Sequence, residues 1–299
     1  MSDYHQPVLL DDSVSYLVSD SSGVYVDVTY GGGGHSEAVL SRLSADGALF
    51  AFDQDVDSHD NIINDERLIF IRANFSHLSR FMDYYHIDGV DGVLADLGVS
   101  SHHFDEQERG FSYRFDATLD MRMNQSSDMT AADIINSYSQ EGLQNVFSRY
   151  GEVRNSKTLA KAIVQQRLSD KITTVASLLD ILDKVYRGDK MRYCAQVFQA
   201  LRIEVNDEFG VLERVLVDSM NLLKPGGRLV VISYHSLEDK IVKRFFRDNN
   251  FDGVRLEDEY GRLKNKLKPM FSKPILPGRE EVLGNSRAAS AKLRVAVKL

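Results

Sequence analysis

The chain has 299 residues, 43% of them hydrophobic and 27% charged, with a formal net charge of −8 and a single cysteine, Cys194. That is enough sequence to bury a substantial core in one large domain or two modest ones. It carries no run of about 18 apolar residues and no basic-plus-apolar leader, and one cysteine excludes an internal disulfide and a cysteine metal cluster; a cytoplasmic protein with no membrane span and no metal is expected.

The segment from His5 to Leu17 has a short apolar helical pattern, placed across the edge of the first strand. Val24, Val26 and Val28 then alternate as in a half-buried strand, and the chain empties into Gly31-Gly-Gly-Gly34 followed by His35-Ser36-Glu37. Strand, glycine loop and helix together read as a nucleotide-type cofactor cradle. The dinucleotide fingerprint is incomplete, because Ser36 stands where its third glycine would be. Asp27, just before the loop, would repel a pyrophosphate but suits the ammonium and sulfonium charges of S-adenosylmethionine. Asp53 ends a second strand, at 48–52, and is placed to accept the hydroxyls of a ribose.

A third strand is expected at 67–71, ending near Phe75, which is read as a core aromatic with stacking on a planar ring as the alternative. The fourth runs from Val90 to Asp96. Ligands of open α/β sheets bind outside the carboxyl ends of the strands, so Asp27, Asp53 and Asp96 are expected in one crevice, their repulsion relieved by a cation. From His102 to about Val205 the strand–helix rhythm gives way to helices at 130–137, 141–150, 156–168, 174–185 and 192–203, an inserted helical subdomain. Its opening stretch, 105–123, interleaves Arg109, Arg114 and Arg122 with Phe111, Tyr113 and Phe115. This is expected to be a solvated loop, with stacking and clamping of single-stranded bases as the alternative. A helix at 207–223, the stop Lys224-Pro225-Gly226-Gly227 and a fifth strand at 228–233 restore the sheet. His235 is either a substrate contact or a helix-entry residue, and Ser236 with Asp239 is spaced as a capping box. From Tyr260 onward ten Lys and Arg face only Glu280 and Glu281, a net +8 on an otherwise acidic chain.

Several blocks carry a family resemblance: His5-x-Pro7-Val-Leu-Leu, the glycine loop from Asp27 to His35, Asp96-Leu-Gly-Val-Ser-Ser, Glu108-Arg-Gly-Phe-Ser, Leu119-Asp-Met-Arg-Met, Tyr150-Gly-Glu, Phe198-Gln-Ala-Leu-Arg-Ile, Ile232-Ser-Tyr-His-Ser-Leu-Glu-Asp and Asn285-Ser-Arg-Ala-Ala-Ser-Ala-Lys-Leu-Arg. In this order they resemble the bacterial small-subunit (16S) ribosomal RNA cytosine-N4 methyltransferases over nearly the whole chain. The resemblance implies a Rossmann-like class I methyltransferase sheet, built from 1–104 and 206–299, with an all-helical substrate-recognition subdomain inserted at 105–205. It implies S-adenosyl-L-methionine as cofactor, 16S ribosomal RNA within the small ribosomal subunit as partner, and N4-methylation of a cytosine near the decoding site. The family's donor contacts fall on Gly33, Gly34, His35, Asp53, Phe75 and Asp96, and His103 stands where the family has a glutamine. Tyr234 replaces a usual phenylalanine. Asp96 is also the expected catalytic residue, accepting a hydrogen bond from the target amino group. A small-molecule methyltransferase and a non-catalytic RNA-binding factor remain as alternatives, and the oligomeric state stays open.

Overall fold

The computed structural model describes residues 7–55, 61–98, 109–254, 259–260 and 265–299, without the side chain of Arg287. The chain divides into two compact units, one of Met1–Gly98 with Gly210–Leu299 and one of Val99–Phe209.

The first unit is a seven-stranded sheet in the order β3-β2-β1-β4-β5-β7-β6. Its strands are β1 (Val24–Asp27), β2 (Ala48–Asp53), β3 (Leu68–Arg72), β4 (Val90–Asp96), β5 (Leu223–Ser233), β6 (Leu267–Pro269) and β7 (Lys292–Lys298). β1 to β5 pair in parallel, whereas β7 is antiparallel to both its neighbours. β1 is buried on both faces, not one: Tyr25 and Val26 are each 0% exposed. Alternate residues serve opposite cores, as the two-residue period of a strand requires. Val26, Phe50, Phe52, Val93 and Val231 pack with the helices Leu78–Tyr84, Glu208–Leu222 and Ser236–Asp248. Tyr25, Leu49, Leu94, Val230 and Ile232 pack with the helices Leu10–Leu17 and Gly34–Leu40. A parallel sheet covered in this way explains the near-continuous apolar runs of β2 and β4.

The stop after the helix Glu208–Leu222 is a bulge within the sheet. Val90 pairs with Leu223, and the next pair is Gly92 with Arg228, so residues 224–227 protrude between two points of the same strand pairing. Gly226 allows this with φ +82.

The second unit contains the helices Ala131–Ser137, Gln140–Gly151, Ser156–Gln166, Val175–Val185 and Lys190–Asn206. Capping boxes open two of them, Thr130 with Asp133 and Thr174 with Ser177. Leu143, Phe147, Leu159, Ile163, Leu178, Leu182, Val197 and Leu201 form one core. The helix expected to reach Leu168 closes at Gln166; Arg167 caps it and donates to the Ile135 carbonyl, and Leu168 is 83% exposed.

The stretch from Arg109 to Met123 is not a solvated loop with free arginines. Phe111 is buried in the helical core and Tyr113 meets Phe198 edge-on. Arg109 donates to the carbonyls of Arg122 and Met123, and Arg122 grips Asp120 with two bonds of 2.7 Å. Asn206 closes the arrangement, accepting from the Met123 N–H and donating to the Met121 carbonyl. Of the three arginines, Arg114 alone is exposed.

Candidate active site

Parallel register decides which acidic residues can meet a ligand. Asp27 pairs with Ala51 on β2 and Leu94 on β4, two residues short of Asp53 and Asp96. At a rise of about 3.3 Å per residue, Asp27 lies one layer beneath the rim on which the other two stand. It is accordingly 0% exposed, so the three carboxylates do not share one crevice. Its Oδ2 accepts from the Ser36 hydroxyl at 2.8 Å and its Oδ1 from the Thr29 N–H at 3.0 Å. Burial first of all raises the Asp27 pKa, opposed by the charge of His35 and by these hydrogen bonds. Asp27 therefore acts on the glycine loop from behind, clamping its entry at Thr29 and its exit at Ser36.

Ser36 is thus a structural replacement for the third fingerprint glycine. A small polar residue three positions after Gly33, opposite an acid at a strand end, was the available signal for this pairing. Asp53 holds the same loop from its other side: Oδ2 accepts from the Gly31 N–H and Oδ1 from the Asp55 N–H, both at 2.8 Å. Gly33 turns at φ +80, and a Cβ there would fall 2.7 Å from the Tyr30 hydroxyl. Gly34 opens the helix Gly34–Leu40. Phe75 begins a short 3-10 turn past β3, partly buried against the sheet core, next to Asn74, which donates to Gln54 at 2.9 Å. Asp53 and Phe75 are therefore brought to neighbouring strand ends.

Asp96 ends β4 at the rim, with its side chain 21% exposed. Its N–H donates to the Thr29 hydroxyl at 2.7 Å, its Oδ1 accepts from the Tyr234 hydroxyl at 2.8 Å, and its Oδ2 lies 3.6 Å from His35 Nδ1. Burial pushes the Asp96 pKa up to about 6, assisted by the negative charges of Asp27 and Glu238 and opposed by His35 and the Tyr234 hydrogen bond. The same surroundings, burial first and then Asp96, raise the Tyr234 phenol. His35 is 5% exposed, with Nε2 3.2 Å from the Val8 carbonyl. The structure thus joins the glycine loop, the β4 exit and the β5 exit through His35, Asp96 and Tyr234. The sequence reading left Thr29 and Glu238 without a role; Glu238 is 5% exposed and accepts from the Tyr234 N–H at 2.9 Å.

The cap of the helix Ser236–Asp248 is shifted by one residue from the expected box. His235 is the N-cap, its Nδ1 accepting from the Glu238 N–H, and Glu238 supplies the return bonds. Asp239, released from that role, pairs with Arg294 of β7 at 2.6 Å. His103 lies outside the described residues. Among the described residues, no helix is long and apolar enough to cross a membrane.

A glycine loop clamped by two acids, next to a rim aspartate with a raised pKa, describes a place for a cofactor but does not name the chemistry. Comparison with known proteins does. The family model described as "MraW methylase family" matches residues 2–299. The chain belongs to the MraW methylase family. Among its relatives is the ribosomal RNA small subunit methyltransferase H of Phocaeicola vulgatus, 50% identical over 296 residues, covering 99% of this chain and 97% of that protein. The protein of the same name from Christiangramia forsetii is 49% identical over 300 residues, covering 100% and 99%. Membership makes the chain a methyltransferase, and the sheet order described above is the frame on which this MraW methylase carries the candidate site.

Proposed function

We propose that this MraW methylase transfers a methyl group from S-adenosyl-L-methionine to the exocyclic N4 of a cytosine in small-subunit (16S) ribosomal RNA, near the decoding site, in the cytoplasm. The observation that supports it most is that relatives named for methylation of the small-subunit ribosomal RNA match 99% of the chain at 50% identity. The residues present fit the donor. Asp53 on the rim offers a carboxylate for ribose hydroxyls, Phe75 beside it an aromatic face for a purine, and Asp96 a negative charge for a cationic centre. Gly33, Gly34 and His35 complete the cradle, and His103 is proposed as a further contact. When bound, the donor supplies an electrophilic methyl carried on a sulfonium.

The remaining work falls to the chain. A cytosine amino group is a weak nucleophile because its lone pair is delocalised into the ring, so it must be held in line and its N–H must meet an acceptor as the pair localises. Asp96 is that acceptor, aimed by Tyr234 on one oxygen and by the Thr29 hydroxyl on its backbone. No strong base is required, since the amino proton becomes acidic once the methyl has arrived. The helical unit serves as the substrate-recognition subdomain. The exposed Lys266, Lys268 and Lys273 supply phosphate contacts that an otherwise acidic protein needs.

Mass mapping of methylcytosine in ribosomal RNA from cells lacking this protein tests the reading. Loss of one N4-methylcytosine from the small-subunit RNA, restored when the chain is supplied, is expected. An unchanged RNA with label from the donor entering small molecules would refute it.

A further inference from the structure

We propose that Glu281 is a positioning residue for the donor site. It latches residues 7–9 over the glycine loop, and these residues in turn fix which nitrogen of His35 carries the hydrogen. The inference rests on the reading that the glycine loop holds the methyl donor.

Leu9 adopts a left-handed backbone, φ 53 and ψ 36, although it is neither glycine nor asparagine and is 3% exposed. An L-residue avoids that conformation unless its surroundings impose it. Here the imposing contact comes from far along the chain: the Leu9 N–H donates to Glu281 Oε1 at 2.6 Å, across 272 positions of sequence. A carboxylate acceptor makes this one of the stronger kinds of hydrogen bond. Glu281 lies in the short helix Arg279–Gly284, in the otherwise basic C-terminal stretch.

Held in this way, the segment lies on the cradle at two points. Pro7 rests on Gly34 so closely that a Cβ there would fall 2.3 Å from the proline Cγ. The Val8 carbonyl meets His35 Nε2 at 3.2 Å. A carbonyl can only accept, so Nε2 carries a hydrogen, and Nδ1 is left to face Asp96 Oδ2 at 3.6 Å. If the Val8 carbonyl moves, the hydrogen can pass from Nε2 to Nδ1, and the nitrogen that His35 turns to Asp96 changes from an acceptor to a donor. The groups around this pair are Asp27 from β1, Tyr234 from the β5 exit and Glu238 from the helix Ser236–Asp248. The motif His5-x-Pro7-Val-Leu-Leu thereby acquires a purpose, and so does the acidic interruption of the C-terminal stretch.

A tie between the two ends of the chain that served stability alone would leave the imidazole unaffected. The test uses the full chain, unsubstituted and as Glu281→Ala and Glu281→Gln. Long-range nitrogen–proton spectra of labelled histidine, with the His35 signal assigned by its loss in His35→Asn, report the tautomer. Calorimetry with S-adenosylhomocysteine reports the donor site without turnover. The unsubstituted protein should hold His35 as the Nε2–H tautomer. Glu281→Ala should lose that fixed tautomer and weaken binding about tenfold, the scale of one hydrogen bond to a charged group. Glu281→Gln keeps an oxygen that can accept from the Leu9 N–H and should recover most of both. A lowered melting temperature in Glu281→Ala with tautomer and affinity unchanged would reduce the contact to a structural tie and overturn the proposal. Equal loss of affinity in both variants with the tautomer unchanged would overturn it too, by showing that only charge matters. If the unsubstituted protein fails to bind S-adenosylhomocysteine, the donor reading falls, and the spectra still decide separately whether Glu281 sets His35.

Discussion

The Tyr234 hydroxyl donates to Asp96 Oδ1 across 2.8 Å, so the exits of two adjacent parallel strands are joined through side chains as well as through their backbone ladder. The Tyr234 ring also lies against Gly98, where a Cβ would sit 3.0 Å from Cδ2. Tyr234→Phe keeps the ring and deletes the donor. Asp96, already pushed up to about 6 by burial, then loses a bond that lowers its pKa. The acid limb of single-turnover methylation should move to higher pH, while stability changes by about 1 kcal/mol. A limb that stays in place would show that Tyr234 does not tune Asp96.

Asp96 has both a donor-binding and a chemical role in the proposed reaction, and two substitutions separate them. Asp96→Ala removes both and should lose activity mainly through weakened donor binding, with a smaller loss in the chemical step. Asp96→Asn keeps an oxygen for the Tyr234 hydroxyl and should retain more activity at saturating donor. Single-turnover methylation of purified small subunits measures the difference. Equal rates for Asn and Ala at saturation would leave Asp96 as a donor ligand only.

The same raised pKa makes a prediction about stability. A carboxyl group whose folded pKa lies above its unfolded value of 3.8 favours the protonated form in the folded state. Below pH 3.8 it is protonated in both states and costs nothing. As pH rises from 3.8 to about 6 the unfolded chain gives up this proton more readily than the folded protein, so stability is lost progressively, and above about 6 the loss is complete. Asp96→Asn should therefore gain stability relative to the unsubstituted chain at pH 8 compared with pH 4, by at most about 3 kcal/mol. Urea unfolding at the two pH values gives the number, and a gain of the opposite sign would refute the assigned cause.

The cations of the C-terminal stretch divide into two groups. Arg294 is 8% exposed on Asp239, and Lys298 donates to the Met220 carbonyl, so these belong to the fold. Lys266, Lys268 and Lys273 are exposed. Replacing the three with Ala should flatten the log–log salt dependence of RNA binding by about two units, at about 0.7 per phosphate contact on single strands. Arg294→Ala should instead destabilise by about 3–5 kcal/mol, because it leaves the Asp239 carboxylate partly buried without its main partner. An unchanged salt slope in the triple variant would move the RNA to another surface.

Much of this was legible in local sequence because local patterns carry it. Val24, Val26 and Val28 announced a strand, Pro225 and Gly226 a turn, and five helical faces between Thr130 and Asn206 appear within a few residues of where the periodicity puts them. Register was not legible: nothing local says that Asp27 pairs with Leu94 and not with Asp96, yet that offset of two residues is what buries it. The antiparallel placement of β7 is likewise a matter of long-range pairing. Arg109 and Arg122 looked like members of a solvated loop because sequence shows a cation without its partner. The carbonyls and the Asp120 carboxylate that engage them are brought there only by the folded loop. His235 displaced Ser236 as the N-cap because an imidazole nitrogen can accept from a backbone N–H as a hydroxyl can.

The order of the strands also sets an order of events during synthesis. β7 lies between β5 and β6 and is the last of the three to be made, so β6 has no strand to pair with until Lys292–Lys298 has been synthesised. β4, completed at Asp96, can pair with β1 at once but gains its other neighbour, β5, only more than a hundred residues later. The helical unit is contiguous and can collapse while the chain is still growing. A ribosome making this protein therefore carries a helical unit that can finish before β5 exists, and the sheet is completed only when β7 enters between β5 and β6.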